Sequence, residues 1–203
     1  MKKRVMGFLL VCLLAFGLAG CGADKPEVVV DQFLTAVKEG DYEKAGEYVV
    51  SEDGSKPFNF DELNEDMKGL DTDEFLKALR SKYDFKSPEE VSSEGDTAKV
   101  KANITSVDFA DAFTATMEDV FAEAMTMAES GETDSADAEA ELEKMMWETL
   151  NEKLSADDAK TATRDITFNL EKNKDGEYKI LADENFEEAM IANIDTLEEE
   201  LGE

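Results

Sequence analysis

The spacing of apolar residues divides the chain into stretches of different period. From Pro26 onward, Val29, Phe33, Ala36 and Val37 recur at helical spacing. Pro26 and Glu27 suit a first helical turn, and Gly40 suits a stop. Asp41 then predicts the cap of a second helix carrying Tyr42, Ala45, Tyr48 and Val49, so the opening reads as a helical hairpin. Residues 51–57 read as a loop and 58–68 as a short helix. Thr72 to Tyr83 predicts a helix with Phe75, Leu76 and Leu79 on one side and Asp71 or Thr72 as its cap.

The period then shortens to two. Ala98, Val100, Ala102 and Ile104 alternate with Lys99, Lys101, Asn103 and Thr105, the pattern of a half-buried strand. Residues 83–92 predict a weaker partner strand, kept to an edge by Pro88, with a turn at Glu94-Gly95-Asp96. A second alternating run, Arg164 to Glu171, turns at Asn173-Lys174-Asp175-Gly176 into Glu177 to Ala182, with Tyr178 and Ile180 inward.

Two helices separate these strand groups. Asp108 caps the first, whose stripe is Phe109, Phe113, Met117, Val120, Phe121, Ala124 and Met125. A polar linker at 130–137 leads to the second, with Leu142, Met145, Met146, Leu150 and Leu154 in line and Trp147 off the main stripe. A last helix is expected from Asn185 to Leu201.

Charge changes the picture at the N-terminus. The 203 residues hold 50 Asp and Glu against 21 Lys and Arg, no histidine and two cysteines, for a net charge of -29. Lys2, Lys3 and Arg4 precede an uncharged run that is too short for the roughly 20 residues of a bilayer span. The run ends in Leu18-Ala19-Gly20-Cys21, which resembles the lipobox of bacterial lipoproteins. That resemblance implies a signal peptide over 1–20, a diacylglyceryl group on the Cys21 sulfur, and cleavage between Gly20 and Cys21. Residues 21–25 then form a lipidated cysteine and short tether, and the protein sits on the extracytoplasmic face of the cell membrane. Two acyl chains, palmitate being the usual kind, meet the requirement for stable anchoring.

Loss of 1–20 leaves 183 of the 203 residues and 50 acids against 18 bases. Such a surface repels nucleic acid and favours a partner bearing a basic patch. Cys12 leaves with the signal and Cys21 becomes the anchor, so neither serves a disulfide, a metal or a thiolate nucleophile.

The stretch Pro26 to Val49 carries a second resemblance. Phe33-Leu34-Thr35-Ala36, Gly40-Asp41 and Tyr42 to Ala45 are similar to the opening helices of nuclear-transport-factor-2-like (cystatin-like) domains of Gram-positive lipoproteins. Tyr178-Lys179-Ile180 stands where that family usually has Trp-Lys-Ile. The implied fold is α+β: a helical hairpin on a curved, mainly antiparallel sheet with a C-terminal helix. One such domain is expected over 26–203, with the helical pair at 109–154 as an insertion. Most relatives of this kind have no assigned chemistry.

Candidate chemistry is sparse. Without histidine there is no Ser-His-Asp or Cys-His nucleophile. Enzymes of this fold use a pocket carboxylate, but Asp165 falls on the outward phase of its strand and Asp108 is explained as a cap. Glu171 to Gly176 mimics the start of an EF-hand loop, yet Ala182 stands where the bidentate Glu belongs, and the Asp53-Gly54 frame begins at Val49. Asp71-Thr72-Asp73-Glu74 reads as helix N-terminal charge. Asn103-Ile104-Thr105 matches a glycosylation sequon but falls within a strand. No metal, cofactor or catalytic residue is therefore expected. Core packing explains the Met and Phe stripe of 109–129 and the Met145-Met146-Trp147 cluster most simply; left exposed, they would mark a partner site. The expectation is a non-enzymatic domain binding a protein or small apolar ligand; the rival is an isomerase- or hydrolase-like enzyme using pocket carboxylates and Tyr178.

Overall fold

The computed structural model describes residues 24–51, 70–130, 136–194 and 196. The expected signal peptide over 1–20, Cys21, most of the 51–57 stretch, the helix expected over 58–68 and the centre of the 130–137 stretch lie outside them. In chain order the elements are α1 (Pro26–Glu39), α2 (Tyr42–Gly46), β1 (Val49–Val50), α3 (Thr72–Leu79), β2 (Asp84–Phe85), β3 (Glu89–Glu94) and β4 (Thr97–Val107). There follow α4 (Phe109–Ser130), α5 (Ala136–Ser155), β5 (Thr161–Lys172), β6 (Tyr178–Leu181) and α6 (Glu184–Met190). The class is α+β, as expected.

The sheet runs β1-β6-β5-β4-β2, with β3 also paired to β4. All pairings are antiparallel except β1 with β6. Its spine is the β4–β5 ladder, continuous from Thr97↔Glu171 to Val107↔Thr161. On the inner face small residues meet large ones: Ala98 opposite Leu170, Val100 opposite Phe168, Ala102 opposite Ile166. This size alternation leaves room for α1 to lie on the sheet and send Val30, Phe33, Leu34 and Val37 into it. The Phe33 ring meets Phe168 edge-on at 6.0 Å and Phe186 of α6 at 5.8 Å. The outer face stays polar, with Lys101 and Asn103 both on Asp165 at 2.8 and 2.9 Å.

Local chemistry sets the helix ends. Gly40 stops α1 in the left-handed region, at φ +79°, where its neighbour's N–H reaches back to Ala36 O. Asp41, Asp71 and Asp183 each cap a helix by accepting a backbone N–H. Asp108 does the same for α4, at 3.3 Å from Asp111 N.

Three boundaries differ from expectation. The second helix ends at Gly46, and Val49 joins a strand instead. There Ile180 N donates to Tyr48 O and Ala182 N to Val50 O, so an open sheet edge takes up β-branched residues that a frayed helix end holds weakly. Helix α3 stops at Leu79, buries Phe75 and Ala78 with Leu76 half-buried, and is followed by buried Tyr83, whose hydroxyl donates to Ala189 O at 3.2 Å. Helix α6 ends at Met190 instead of running on unbroken, and Ile194 and Thr196 are helical again after the break. Ala192 bridges to Asp108, and Asn193 turns left-handed at φ 59° with its N–H on the Glu188 carboxylate.

A second core lies beyond the end of the ladder. Leu70, Phe75 and Ala78 of the α3 region meet Val107, Phe109, Ala110 and Ala112, with Leu150 and Leu154 from α5.

Candidate docking face on the helical pair

Helices α4 and α5 spring from strands that remain paired to their last residue, where Asp108 N donates to Lys160 O at 2.9 Å. The pair is therefore held at its base by backbone hydrogen bonds. Above them, Lys160 binds Asp111, and Lys153 binds Asp119 at 2.8 Å across the two helices. Phe109 meets Phe75 edge-on at 6.4 Å and stacks on Phe113 at 6.0 Å. Thr116, wholly buried, satisfies its hydroxyl on Ala112 O.

Past this base the apolar stripe divides. Phe109 is buried, but Met117, Phe121 and Met125 are 42, 68 and 51 % exposed. The expectation of core packing therefore fails for the outer half of the stripe. The physical reason lies in the helical wheel. At 100° per residue the buried positions Phe109, Ala112, Thr116 and Met127 centre on one face, and Met117, Phe121 and Met125 lie roughly 140° around from it; Ala110, on the side of the row, is buried at the base of the helix. Leaving three such side chains partly in water forgoes about 1 kcal/mol or more of burial energy each. They form a row about 12 Å long on one helix.

One flank of the row, at Glu118 and Glu129, carries charge of one sign, while Glu123 lies on the far side of the helix. Helix α4 carries Asp111, Glu118, Asp119, Glu123 and Glu129 and no basic residue. Asp111 and Asp119 are neutralised by Lys160 and Lys153; Glu118, Glu123 and Glu129 are exposed and form no salt bridge among the described residues.

The opposite side of the pair is closed differently. Trp147 is not off the packing stripe of α5: at i, i+3 and i+7 it shares a face with Leu150 and Leu154 and packs on the second core. Beside it, a cleft of about 730 Å³ separates α3 from α5, lined by Asp71, Glu74, Lys77, Trp147 and Asn151 among others. Trp147 Nε1 and Asn151 Oδ1 are buried below its surface without a hydrogen-bond partner among the described residues.

Other sequence candidates fall apart in space. Asp165 is exposed on the outer sheet face, where hydrogen bonds from Lys101 and Asn103 hold its carboxyl below the usual range. Tyr178 keeps its hydroxyl 3.1 Å from Ser93 Oγ, under the ammonium of Lys172. The EF-hand-like stretch is a hairpin turn in which Asn173 Oδ1 accepts from Asp175 N and Glu177 N. Among the described residues, no three acids or cysteines cluster as metal ligands, and no helix is long and apolar enough to cross a membrane. Leu18, Ala19, Gly20 and Cys21 lie outside the described residues.

One polar cluster was missed. Arg164 reaches into the sheet–helix interface, where it binds Glu188 at 3.1 Å and Ser106 Oγ at 2.8 Å, with side-chain exposures of 12 and 17 % for the ion pair. Nearby Tyr83 is fully buried, and desolvation pushes its phenol well above the ordinary value. The signal was present: Arg164 stands in phase with Ile166, Phe168 and Leu170, so its strand position points inward.

No protein-family model matches the chain, and no curated protein matches it. The chain is similar to the crystal structure of a candidate lipoprotein (ycdA) from Bacillus subtilis, at 17 % identity and a TM-score of 0.42. The match covers 84 % of this chain and 48 % of that one, so the chain spans about half the length of that protein.

Proposed function

We propose that the chain is a bacterial lipoprotein of the nuclear-transport-factor-2-like kind. Cys21 anchors it on the extracytoplasmic face of the membrane, and it works there as a non-enzymatic docking domain. The address rests on Leu18-Ala19-Gly20-Cys21 at the end of an uncharged run behind Lys2-Lys3-Arg4. The docking role rests on one observation above all: Met117, Phe121 and Met125 stand exposed on a helix whose Phe109, Ala110 and Ala112 are buried in the second core. A soluble domain gains nothing from such a row unless something covers it. A non-enzymatic role is supported by the dispersal of the ionisable candidates. Glu188, the carboxylate of the sheet–helix interface, is tied to Arg164, while Tyr178 and Asp165 lie elsewhere.

Membrane fractionation with palmitate labelling tests the address. The wild-type chain is expected in the membrane fraction as a labelled band, and Cys21→Ala is expected to be unlabelled and released. A Cys21→Ala protein that stays bound and labelled contradicts the anchor.

A further inference from the structure

We infer that the α4 face receives a basic amphipathic helix from another protein, its apolar stripe on Met117, Phe121 and Met125 and its lysines or arginines over the glutamates. This rests on the docking reading above and adds the chemistry of the partner. The length fits: a row of about 12 Å matches two turns of a facing helix, with apolar anchors at i, i+4 and i+7. The side chains fit as well, since methionine is flexible and polarisable and accommodates varied apolar shapes around the Phe121 anchor. Charge selects among occupants. Glu118 and Glu129, on the flank of the row, lack basic partners among the described residues, so a cationic helix gains attraction that a neutral one does not.

The same charge disfavours the other occupants. A second copy would set one acidic helix against another. The stretches 52–69 and 197–203 of this chain carry six acids against two lysines and four acids against no base. An anionic lipid surface is repelled in the same way. A helix rich in lysine or arginine with one apolar stripe is the occupant that satisfies both the row and its acidic flank.

The test uses the full chain, expressed in a bacterial host and reconstituted in phosphatidylcholine nanodiscs, with fluorescence anisotropy of labelled helical peptides. One probe peptide carries a leucine stripe with lysines elsewhere; its counterpart has the same stripe with glutamates. The lysine peptide is expected to bind and the glutamate peptide not to. Met117→Ala with Phe121→Ala is expected to weaken binding by about tenfold or more. Glu118→Gln with Glu129→Gln is expected to weaken it by a smaller factor, and raised salt likewise. Both double variants change exposed positions, so unaltered thermal melts will confirm that they fold.

If both peptides bind equally and Phe121 matters to both, the docking face stands and the basic-helix inference is overturned. Binding of the lysine peptide that ignores Met117 and Phe121 overturns the inference and the docking face together. A stable dimer that dissociates on Phe121→Ala while neither peptide binds overturns the inference but keeps the docking face, because the occupant is then a second copy. Phe121-dependent adsorption to anionic vesicles without peptide binding makes the occupant a membrane and overturns the inference too.

Discussion

The two cores of this molecule are built to different standards. In the sheet core, Val30, Phe33, Leu34, Val100, Phe168 and Ile180 are fully buried, and both neighbouring layers contribute. In the helical core, Leu150 and Leu154 are fully buried, but Leu70, Phe75, Phe109, Ala110 and Ala112 keep 8 or 9 % of their surface. The first is enclosed by a sheet, α1 and α6. The second is a contact among three helices with the outer face of α4 uncovered. A closed core explains a fold, whereas a half-covered helix explains why a fold is carried further out than its stability requires. The chain also labels the two regions separately: all four tyrosines pack on the sheet core, and the single tryptophan packs on the helical one.

That labelling allows the comparison to be broken by mutation. Phe168→Ala removes a ring with no exposed surface from the centre of the sheet core and is expected to cost about 3–5 kcal/mol. Urea unfolding followed by tyrosine and by tryptophan should show both transitions moving down together, since the helical pair hangs from the β4–β5 ladder. Leu154→Ala is expected to cost about 2–4 kcal/mol, read mainly at Trp147, with the tyrosine transition moving less. Equal shifts of both signals in both variants would mean that the two cores unfold as one unit.

Acid should act chiefly on the sheet. Hydrogen bonds from Lys38 to Asp84, from Lys101 to Asp165, and from Asn173 to Glu177 hold these three carboxyls below their ordinary values. A carboxyl lowered by folding stabilises the native state above its unfolded pKa, and that contribution is lost as pH falls through the folded value. Relief of charge repulsion works the other way as the pH approaches the isoelectric point near 4.2. The melting midpoint is therefore expected to rise from pH 7 towards 5 and to fall below about pH 4. Asp165→Asn should blunt the acid limb; a midpoint that keeps rising below pH 4 contradicts these pairings.

The smallest stability effect is expected at the docking face. Phe121→Ala should change the unfolding free energy by no more than about 0.5 kcal/mol, because the ring is mostly in water, while it weakens binding of the leucine–lysine peptide. A cost of several kcal/mol would place Phe121 in a core.

How much of this was legible in the sequence follows from what periodicity can carry. The alternation in Ala98 to Ile104 and Ile166 to Leu170 read directly as inward and outward strand faces, and their burial agrees. Gly40, Asp41 and Asp108 read as helix punctuation because their roles are local. Val49 reads as helical in the sequence because its strand exists only through β6, whose Ile180 is 131 residues away in the chain. The exposure of Met117, Phe121 and Met125 was illegible for a related reason. A 3.6-residue period tells which side chains share a face and is silent on whether another element meets that face. The resemblance of Leu18-Ala19-Gly20-Cys21 to a lipobox rests on order and spacing alone.

Methionine oxidation tests the docking face most directly. The full chain in nanodiscs is treated briefly with dilute peroxide and sulfoxide is mapped by mass spectrometry, with and without the leucine–lysine peptide. Met117 and Met125 are expected to oxidise faster than buried Met127 in the free protein, and to slow to its rate when the peptide is bound. Met117 and Met125 as slow as Met127 in the free protein, or equally fast with the peptide present, would contradict an open face that a basic helix covers.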